Sequence, residues 1–595
     1  MIDLAIDSLH RAYRDGSLSP AALLAQLRER IAGHADHRIW ITLLDEAQLA
    51  PHLARLAGQG PDALPLYGLP FAIKDNIDLA GVPTTAACPE FAYVPEASAA
   101  IVQRLLDAGA IPLGKTNLDQ FATGLVGTRS PHGAVRNAFN PDYISGGSSS
   151  GSAVALALGE VSFSLGTDTA GSGRVPAAFN NLLGIKPTRG RWSTRGVLPA
   201  CRSLDCPSLF ALNPEDARRI AAVIDGYDVQ DPYSRQGRLV SGPLQRFRLG
   251  VPPVAQREFF GDETYAALFG QAIERWAALG AEIREIDFQP FAEAAHLLYE
   301  GPWVAERSHA LRTVLEQQPE ALLPVTRQIV SGGLARGAVE TFDAFYRLQA
   351  LRREADAQLA GVDAVLLPTA PTHYRIDQLE AEPLLLNSRL GTYTNFMNLL
   401  DYAALALPAG FTPAGLPFGV TLFGPAFSDE YLLALGQRWM AGQGTTGRQV
   451  SQWTPTAPPK PAGRIEVAVC GAHLSGMPLN PQLTSRGAFL VEATHSAACY
   501  RLIALAGGPP FRPGMIRDAA RGAAIEVEVW SVPEAGFGSF VAGIPAPLGI
   551  GKLELADGRW VSGFICEPAG EAGAQDITHL GGWRRYMAER AAASA

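Results

Sequence analysis

The residues between 146 and 190 contain the densest group of side chains that could do chemistry. Two glycine-rich turns in this stretch carry several serine hydroxyls, GGSSSGS at 146–152 and GTDTAGSGR at 166–174. Asp168 and Arg174 stand in the second turn beside apolar runs, where charges are costly to bury without a purpose. A strand running into such a turn would aim backbone N–H groups at one point, which suits an oxyanion. This argues against a pair of flexible loops, and we expect Asp168 and Arg174 to orient the turn rather than to react.

A second motif, GAIPLGKT at 109–116, fits the phosphate-binding loop pattern letter for letter. That loop should follow a strand and open a helix, but here a helix precedes the motif and its apolar residues begin a strand. Pro112 also removes an amide donor that a phosphate would need. A nucleotide enzyme using Lys115 is therefore a disfavoured alternative, which a measurement of ATP binding would test.

A third motif, GSSSG at 147–151, fits the nucleophile-elbow pattern with Ser149 at its centre. That elbow needs a strand before it and a histidine base after it. The preceding AFNPDYIS is not a convincing strand, and none of the 11 histidines stands in a suggestive motif. We favour a glycine–serine turn that caps a small-residue helix.

The elements that must position these residues alternate between strands and helices. GLPFAIKDN (68–76), IPLGKT (111–116) and VSFSLGTD (161–168) are typical of short strands, whereas AAIVQRLLDAGA (99–110) and SAVALALG (152–159) are typical of helices. This alternation predicts an α/β fold, with helices on both faces of a sheet.

The amino-acid composition and the hydrophobic pattern of the chain change after residue 443. The stretch 444–463 is rich in Pro, Thr and Gly, as linkers are. Short β-like runs follow it, and Asp557-Gly558 between two apolar runs predicts a hairpin. The sequence therefore predicts a first domain at 1–443, a linker at 444–463 and a smaller, β-rich domain at 464–595.

The bulk properties exclude several classes of protein. The net charge is −9 and no basic cluster is present, so a nucleic-acid partner is not expected. The six scattered cysteines form no C-x-x-C pair, which predicts reduced thiols in a cytoplasmic protein and no zinc site. The first residues lack a signal-peptide core, and no apolar stretch reaches about 18 residues, so a membrane span is not expected.

Together the motifs resemble the amidase signature family. The resemblance comprises KDN after an apolar strand, GKTN, GGSSSGS, the GTDTAGS-x-R turn and GIKPT, all in the family's order. It covers residues 60–210 strongly and the rest of the first 440 more weakly. The resemblance implies an α/β/α sandwich around a large mixed sheet.

The resemblance also implies a catalytic triad of Lys74, a Ser148 held in a cis peptide, and the nucleophile Ser172. It implies an oxyanion hole made by consecutive backbone amides, those of Thr169, Ala170, Gly171 and Ser172. The chemistry is reasonable, because a serine hydroxyl needs a base and a lysine can serve if burial lowers its pKa. Ser148 can relay the proton between Lys74 and Ser172. Such a reaction requires no cofactor and no metal.

The chain departs from the common family pattern near the nucleophile. Ala170 stands where glycine is usual, Gly173 replaces a bulky aliphatic residue, and SLDCPS (203–208) lacks the usual glycine. The loss of bulk at Gly173 predicts room for a small polar substrate. These departures and the tail stretches VCGAHLSGMPLN and GSFVAGIPAPLGIGKLELADG resemble the allophanate hydrolase subgroup. The C-terminal domain of that subgroup is similar to the γ-glutamylcyclotransferase fold.

The subgroup resemblance implies a small anionic amide substrate, allophanate, and release of ammonia and carbon dioxide. It implies that Tyr299 and Arg307 in LLYEGPWVAERS grip the substrate and that Gly124 contacts it through the backbone. An arginine fork can hold a carboxylate in two hydrogen bonds. The alternative for Tyr299 and Arg307 is a surface pair on one helix. In the tail, His495 is a candidate for decarboxylating N-carboxycarbamate, with a module for dimerisation or docking as the alternative.

The resemblance implies a homodimer, and a separate enzyme must supply the allophanate because no biotin-dependent carboxylase region is present. The nearest enzyme alternative is the glutaminase component of a tRNA-dependent amidotransferase, against which the β-rich tail argues. A binding or assembly protein with a degenerate site is a third possibility, and the intact set of Lys74, Ser148 and Ser172 argues against it.

Overall fold

The computed structural model describes residues 2–441, 446–448, 453 and 464–594. The chain forms two compact units, Met1–Leu239 with Arg248–Thr456, and Val240–Phe247 with Ala457–Ala595. The predicted linker at 444–463 lies outside the described residues, apart from 446–448 and 453. Within the described parts of the chain, no helix is both long and apolar enough to cross a membrane.

The first unit is built on one mixed sheet, so the predicted α/β sandwich is confirmed. In the part of the chain described, the sheet has 11 strands in the order β1-β3-β2-β4-β6-β5-β10-β11-β9-β7-β8. Strands β2 and β3, β2 and β4, and β7 and β9 pair in parallel, and the other assigned neighbours are antiparallel. The strands are β1 Trp40–Leu43, β2 Pro70–Lys74, β3 Ile111–Thr116, β4 Phe163–Asp168, β5 Leu183–Lys186, β6 Cys206–Ala211, β7 Phe247–Val251, β8 Ala281–Glu285, β9 Ala364–Pro368, β10 Ala403–Phe411 and β11 Pro417–Gly424.

Helices cover both faces of this sheet, as the alternating pattern predicts. They are α1 Ile6–Arg14, α2 Pro20–Gly33, α3 Glu46–Arg55, α4 Ala100–Asp107, α5 Ser150–Ala157, α6 Val175–Phe179, α7 Pro214–Ile224, α8 Glu263–Ala278, α9 Gln289–Tyr299, α10 Trp303–Ala310, α11 Arg312–Gln317, α12 Pro324–Ser331, α13 Ala338–Leu359, α14 Ile376–Ala381, α15 Leu385–Leu390, α16 Phe396–Leu399 and α17 Asp429–Met440. Every residue of α5 is buried, which its sequence SGSAVALA allows because small side chains let a helix pack closely on all sides.

The central strands β2, β3 and β4 are buried along their whole length. Strands covered on both faces favour continuous apolar runs, and PFAIK and IPLGKT have this pattern. The carboxyl ends of β2 and β4 deliver Lys74 and Asp168 to one edge of the sheet. This edge positions the candidate site.

The second unit is β-rich, as predicted. In the residues described, it contains a five-stranded sheet, β13-β16-β12-β18-β17, and a three-stranded sheet, β15-β14-β19. Its elements are β12 Arg464–Val469, α18 Pro481–Thr484, β13 Phe489–His495, β14 Tyr500–Ala504, β15 Pro513–Arg517, β16 Glu526–Pro533, α19 Glu534–Ala542, β17 Leu548–Glu554, β18 Trp560–Cys566, β19 Gln575–Asp576 and α20 Trp583–Ser594. The predicted hairpin at Asp557-Gly558 joins the antiparallel pair β17 and β18, with Gly558 at φ 85°.

Candidate active site

Lys74 is the last residue of β2 and is fully buried. Its Nζ donates to Ser148 Oγ and to Thr167 Oγ1, both at 2.7 Å. Burial lowers the pKa of Lys74 to about 7, although the more distant carboxylates of Asp119 and Asp205 oppose this shift. A lysine with this pKa is partly neutral near pH 7, so it can accept a proton from a hydroxyl.

The backbone around Ser148 is held by Asp119. The peptide bond between Gly147 and Ser148 is cis, and the carbonyl of Ser148 accepts the backbone N–H of Asp119 at 3.1 Å. The space beside Gly147 is filled, because a Cβ there would lie 2.1 Å from Asp119 Oδ2. The Asp119 carboxylate is itself fixed by the backbone N–H groups of Val126, Gly127 and Arg129 at 2.9–3.0 Å. The result is a rigid backbone around Ser148.

Ser172 lies in the turn between β4 and α6 and is 2% exposed. The turn is built around a fully buried ion pair of Asp168 and Arg174, with nitrogen–oxygen distances of 2.8 and 2.9 Å. Asp168 also accepts the backbone N–H groups of Gly171 and Gly173 at 3.0 Å. Burial opposes ionisation of Asp168, but Arg174 outweighs it and holds the pKa of this carboxyl below its ordinary value. Asp168 and Arg174 thus orient the turn.

The backbone amides of this turn are not equally available. The N–H of Gly171 is already donated to Asp168 Oδ1 at 3.0 Å. For Thr169, Ala170 and Ser172, the described part of the chain provides no acceptor for the backbone N–H. These three buried donors are therefore free to receive an oxyanion.

Arg307 is buried in α10, with 1% of its surface exposed. Its Nη1 donates to Thr123 Oγ1 at 3.2 Å and to the Ala122 carbonyl at 3.4 Å, and its Nη2 donates to the Tyr299 hydroxyl at 3.3 Å. The described residues form no ion pair with it, although the Asp205 and Glu306 carboxylates attract it from a greater distance, and its Nε has no hydrogen-bond partner there. A buried guanidinium in this state has spare capacity for an anion.

The structure brings Tyr299 and Arg307 together, but they lie on two helices. Tyr299 ends α9, and its ring lies 5.3 Å from the Arg307 guanidinium carbon. The alternative of a surface pair on one helix is wrong, because Arg307 is buried. Its charge also contributes to the lowered pKa of Lys74, which places it in the electrostatic surroundings of the Lys74–Ser148 pair.

Gly124 is buried in the turn that carries Thr123, a partner of Arg307. A Cβ at Gly124 would lie 2.7 Å from Asp119 Oδ2 and 3.2 Å from Arg129 Cδ. A larger residue would therefore displace Asp119, which fixes the backbone around Ser148. The absence of a side chain at Gly124 lets this part of the backbone pack against Asp119, next to Thr123, which contacts Arg307.

The structure corrects the expectation for Gly173. A Cβ at this position would lie 2.5 Å from Ser208 Cβ, so Ser208 of β6 already fills the space that the missing side chain leaves. Gly173 therefore makes room for a neighbouring strand and not for a substrate.

The two competing motifs have structural roles. Lys115 lies within β3, fully buried, with its Nζ 3.2 Å from Asp75 Oδ1 and 2.9 Å from Thr84 Oγ1. Ser149 precedes α5 but does not cap it; its Oγ instead donates to the Thr167 carbonyl at 3.1 Å and accepts the Thr167 N–H at 3.2 Å. Ser149 thus fixes the strand that places Thr167 beside Lys74.

Sequence reasoning missed Thr167, Asp119 and Asp205. Thr167 is a second acceptor for Lys74, and Asp205 accepts the Thr169 hydroxyl and the Ala200 N–H. Burial raises the pKa of Asp205 to about 6. For Thr167 the sequence did offer a signal. Neighbouring side chains of a strand point to opposite faces, so Thr167 had to lie on the face of β4 opposite to Asp168.

In the second unit, a cavity of about 50 Å³ opens where β12 ends, lined among others by Cys470, His473, Arg512 and Phe564. The His473 ring stacks on Phe564 with centroids 5.0 Å apart, and burial lowers its pKa. The structure does not bring His495 here, because His495 is exposed at the end of β13. His473 stands in the stretch VCGAHLSGMPLN, whose resemblance to the subgroup was the available signal.

The described residues contain no cluster of His, Cys, Asp and Glu that could hold a metal ion. All six cysteines are free thiols. The candidate site is thus composed of hydroxyls, one lysine, one arginine and backbone amides.

Comparison with known proteins agrees with this arrangement. The profile of the Amidase family matches residues 23–433, and that of the allophanate hydrolase C-terminal domain matches 465–588. Urea amidolyase of Saccharomyces cerevisiae is 45% identical over 570 residues, which are 92% of this chain and 31% of the relative. The chain therefore spans about a third of the length of that relative.

Two further proteins resemble the chain over their whole length. A glutamyl-tRNA(Gln) amidotransferase component from Methylacidiphilum infernorum is 32% identical, with 80% of this chain and 100% of the relative covered. The structure of Kluyveromyces lactis allophanate hydrolase is 40% identical with a TM-score of 0.81, and the match covers 98% of this chain and 99% of that one. The matching profile, the full-length relatives and the lysine–serine geometry show that the chain belongs to the amidase family.

Proposed function

We propose that the protein hydrolyses allophanate, yielding ammonia and carbon dioxide. The observation that carries this proposal is Arg307, a buried guanidinium that hydrogen-bonds a carbonyl and two hydroxyls but forms no ion pair with a carboxylate in the described chain. A cation in this position selects a substrate that brings its own negative charge. Similarity to K. lactis allophanate hydrolase over nearly the whole chain supports the same substrate.

In the proposed first step, Ser172 Oγ attacks the ureido carbonyl carbon of allophanate. Its proton passes to Ser148, whose own proton passes to neutral Lys74 at 2.7 Å. The carbonyl oxygen becomes an oxyanion, which the backbone N–H groups of Thr169, Ala170 and Ser172 bind. Gly171 contributes less to this oxyanion hole, because its N–H is bonded to Asp168.

Collapse of the tetrahedral intermediate breaks the bond to the terminal nitrogen. The proton held by Lys74 returns through Ser148 to that nitrogen, which leaves as ammonia. Water then attacks the acyl-enzyme with the same lysine and serine as proton acceptors, and N-carboxycarbamate is released. Arg307 and Tyr299 hold the carboxylate of the substrate throughout, and Gly124 contacts it through the backbone.

The second unit is proposed to aid loss of carbon dioxide from N-carboxycarbamate. This product is a dianion, and Arg512 supplies a positive charge to the cavity that also contains His473. Loss of carbon dioxide leaves an electron pair on the carbamate nitrogen, which must take up a proton. Because burial lowers the pKa of His473, its imidazolium ion gives a proton readily to that nitrogen, and the neutral ring then regains one from water. The exposed His495 is the weaker candidate for this step.

We also propose a cytoplasmic homodimer that works without a cofactor and receives allophanate from another protein. Similarity to K. lactis allophanate hydrolase supports such a supplier, because a hydrolase of that kind consumes allophanate and does not make it.

The test is ammonia release from allophanate, malonamate and glutamine by the wild-type protein and by Ser172→Ala. Allophanate should be the best substrate, and Ser172→Ala should abolish ammonia release while leaving circular dichroism unchanged. Ser162→Ala is the matched control, because Ser162 is a buried serine of the same region whose hydroxyl has no hydrogen-bond partner within the described residues. Equal activity of Ser172→Ala and wild type would overturn the mechanism. Faster turnover of glutamine than of allophanate would favour the amidotransferase alternative.

A further inference from the structure

Helix α13 has two apolar faces. The face formed by Ala344, Leu348, Leu351 and Ala355 is buried within the first unit. On the other side of the helix, Val339, Phe342 and Tyr346 are 78%, 59% and 69% exposed. Large exposed apolar residues are unremarkable singly, but a contiguous row of them marks a surface that binds another protein.

The exposed row continues from residue 339 to residue 353 of the helix with helical spacing. Positions 339, 342, 346, 350 and 353 follow one another at three or four residues, and position 343 is four residues after 339 and three before 346, so all six lie on one face. Beyond the apolar residues this face carries Asp343, Ala350 and Arg353, all exposed. Within the part of the chain described, Asp343 and Arg353 have no ion-pair or hydrogen-bond partner, whereas nearby Arg347 is paired with Glu293.

This face is complementary to itself. Its amino-terminal half carries Val339, Phe342 and Tyr346 together with the Asp343 carboxylate, and its carboxyl-terminal half carries the small Ala350 and the Arg353 guanidinium. An antiparallel pair of α13 helices related by a two-fold axis near residue 348 would set Asp343 beside the partner's Arg353. The same axis sets Tyr346 against the partner's Ala350, where a small residue allows a close approach.

We propose that the exposed face of α13, comprising Val339, Phe342, Asp343, Tyr346, Ala350 and Arg353, is the surface through which two copies of this chain associate. The inference rests on the proposed homodimer but not on the proposed chemistry. A second copy is favoured over an unrelated partner because the unpaired charges match each other across a two-fold axis and need no foreign surface. Each contact then occurs twice in the dimer.

The proposal also links association to the substrate site. Phe345 on α13 packs against Trp303, with ring centroids 5.2 Å apart. Trp303 is the first residue of α10, which carries Arg307. A second α13 helix would therefore stiffen the element that presents Arg307.

The test measures the molar mass of the full-length protein by sedimentation velocity over a range of concentrations. Wild type should have about twice the 63.2 kDa mass of one chain. The double variant Phe342→Asp/Tyr346→Asp should be monomeric, with a dissociation constant raised at least about 100-fold. Val254→Asp is the matched control, since Val254 is 72% exposed on another part of the first unit, and it should remain dimeric.

Charge exchange tests the two-fold pairing. Asp343→Arg and Arg353→Glu should each raise the dissociation constant about tenfold, because each substitution places like charges together twice. The combined variant Asp343→Arg/Arg353→Glu should restore dimerisation. A monomeric wild type, or a dimer that survives Phe342→Asp/Tyr346→Asp, would overturn the proposal. Ammonia release from allophanate, measured in parallel, reports on the proposed function separately.

Discussion

Two buried lysines on neighbouring strands differ in their contacts, and this difference gives them different chemical roles. Lys74 on β2 and Lys115 on β3 are both fully buried, and the two strands pair in parallel with Ile73 opposite Lys115. Burial lowers the pKa of both side chains. Their partners differ, because Lys115 faces the Asp75 carboxylate at 3.2 Å whereas Lys74 faces two hydroxyls at 2.7 Å.

The difference teaches that the partner, and not burial alone, assigns the role. A carboxylate in contact stabilises the ammonium ion and makes Lys115 half of a structural ion pair. Hydroxyls stabilise it less and can also exchange protons, so Lys74 is left as a base. The phosphate-binding pattern around Lys115 and the KDN motif at Lys74 could not be ranked by spacing alone, yet these contacts separate them.

The largest expected effect is on turnover in Lys74→Met. Removing the base should lower kcat for allophanate by about 10⁴-fold or more, since proton transfer from Ser172 loses its acceptor. Steady-state ammonia release measures this, with circular dichroism to show that the fold persists. If Lys74→Met kept more than a tenth of the wild-type kcat, Lys74 would not be the base, and it would no longer differ from Lys115 in role.

The reciprocal change, Lys115→Met, should act on stability. It leaves Asp75 buried without its counter-ion, which costs about 3–5 kcal/mol of the free energy of unfolding. Urea denaturation measures the loss. The double variant Lys115→Met/Asp75→Asn should be less unstable than the sum of the single changes, because no uncompensated charge remains. A stability equal to that of wild type in Lys115→Met would show that the ion pair is not structural.

Arg307 extends the comparison to a buried cation that forms no ion pair within the described residues. Arg307→Ala should raise KM for allophanate about 100-fold, since loss of a buried charge contact typically costs about 2–5 kcal/mol. Arg307→Lys should recover only part of this, because an ammonium lacks the two-pronged geometry. Turnover of an uncharged amide should change much less than that of allophanate. An unaltered KM in Arg307→Ala would remove Arg307 from substrate binding.

The smallest effect is the pH dependence. Because the pKa of Lys74 is lowered to about 7, its neutral form predominates above that pH. The rate kcat/KM should fall about tenfold per pH unit below 7 and level off above it. Lys115→Met should show the same profile. A profile that is flat between pH 5 and 9 would contradict Lys74 as the base.

The lowered pKa of Lys74 should also change the free energy of unfolding, but at pH values above 7 and not below it. Between pH 7 and 10.5 the unfolded chain holds a proton on Lys74 that the native site has released, so the free energy of unfolding rises with pH through this window. The contribution is at most about 1.4 kcal/mol per pH unit. Comparing wild type with Lys74→Met between pH 7 and 9 isolates it.

Much of the local structure could be predicted because it is encoded over short distances. The strand at 111–116 is observed with the predicted limits, and the hairpin at Asp557-Gly558 follows from turn chemistry alone. Contacts between distant residues could not be predicted. Ser208 fills the space beside Gly173, and Asp119 fixes the backbone at Gly147. Nothing local in the sequence connects these pairs.

The two histidines of the second unit illustrate the same limit. His473 and His495 each follow a β-like run, so the pattern does not tell which one faces the interior. The fold decides it, because the loop after β12 turns inward over Phe564 whereas β13 ends in solvent.

The short segment Val240–Phe247 has a consequence for dividing the gene. It belongs to the second compact unit although it follows α7 and ends on the first residue of β7. Arg464 at the start of β12 donates to Ser241 at 2.7 Å. A stop codon near residue 460 would therefore remove the residues that pack against these eight, and the segment would be left without its packing partners. To express the two units as separate fragments, the segment would have to be replaced in the first fragment by a short linker that joins residues 239 and 248. The second fragment would then have to carry the segment itself.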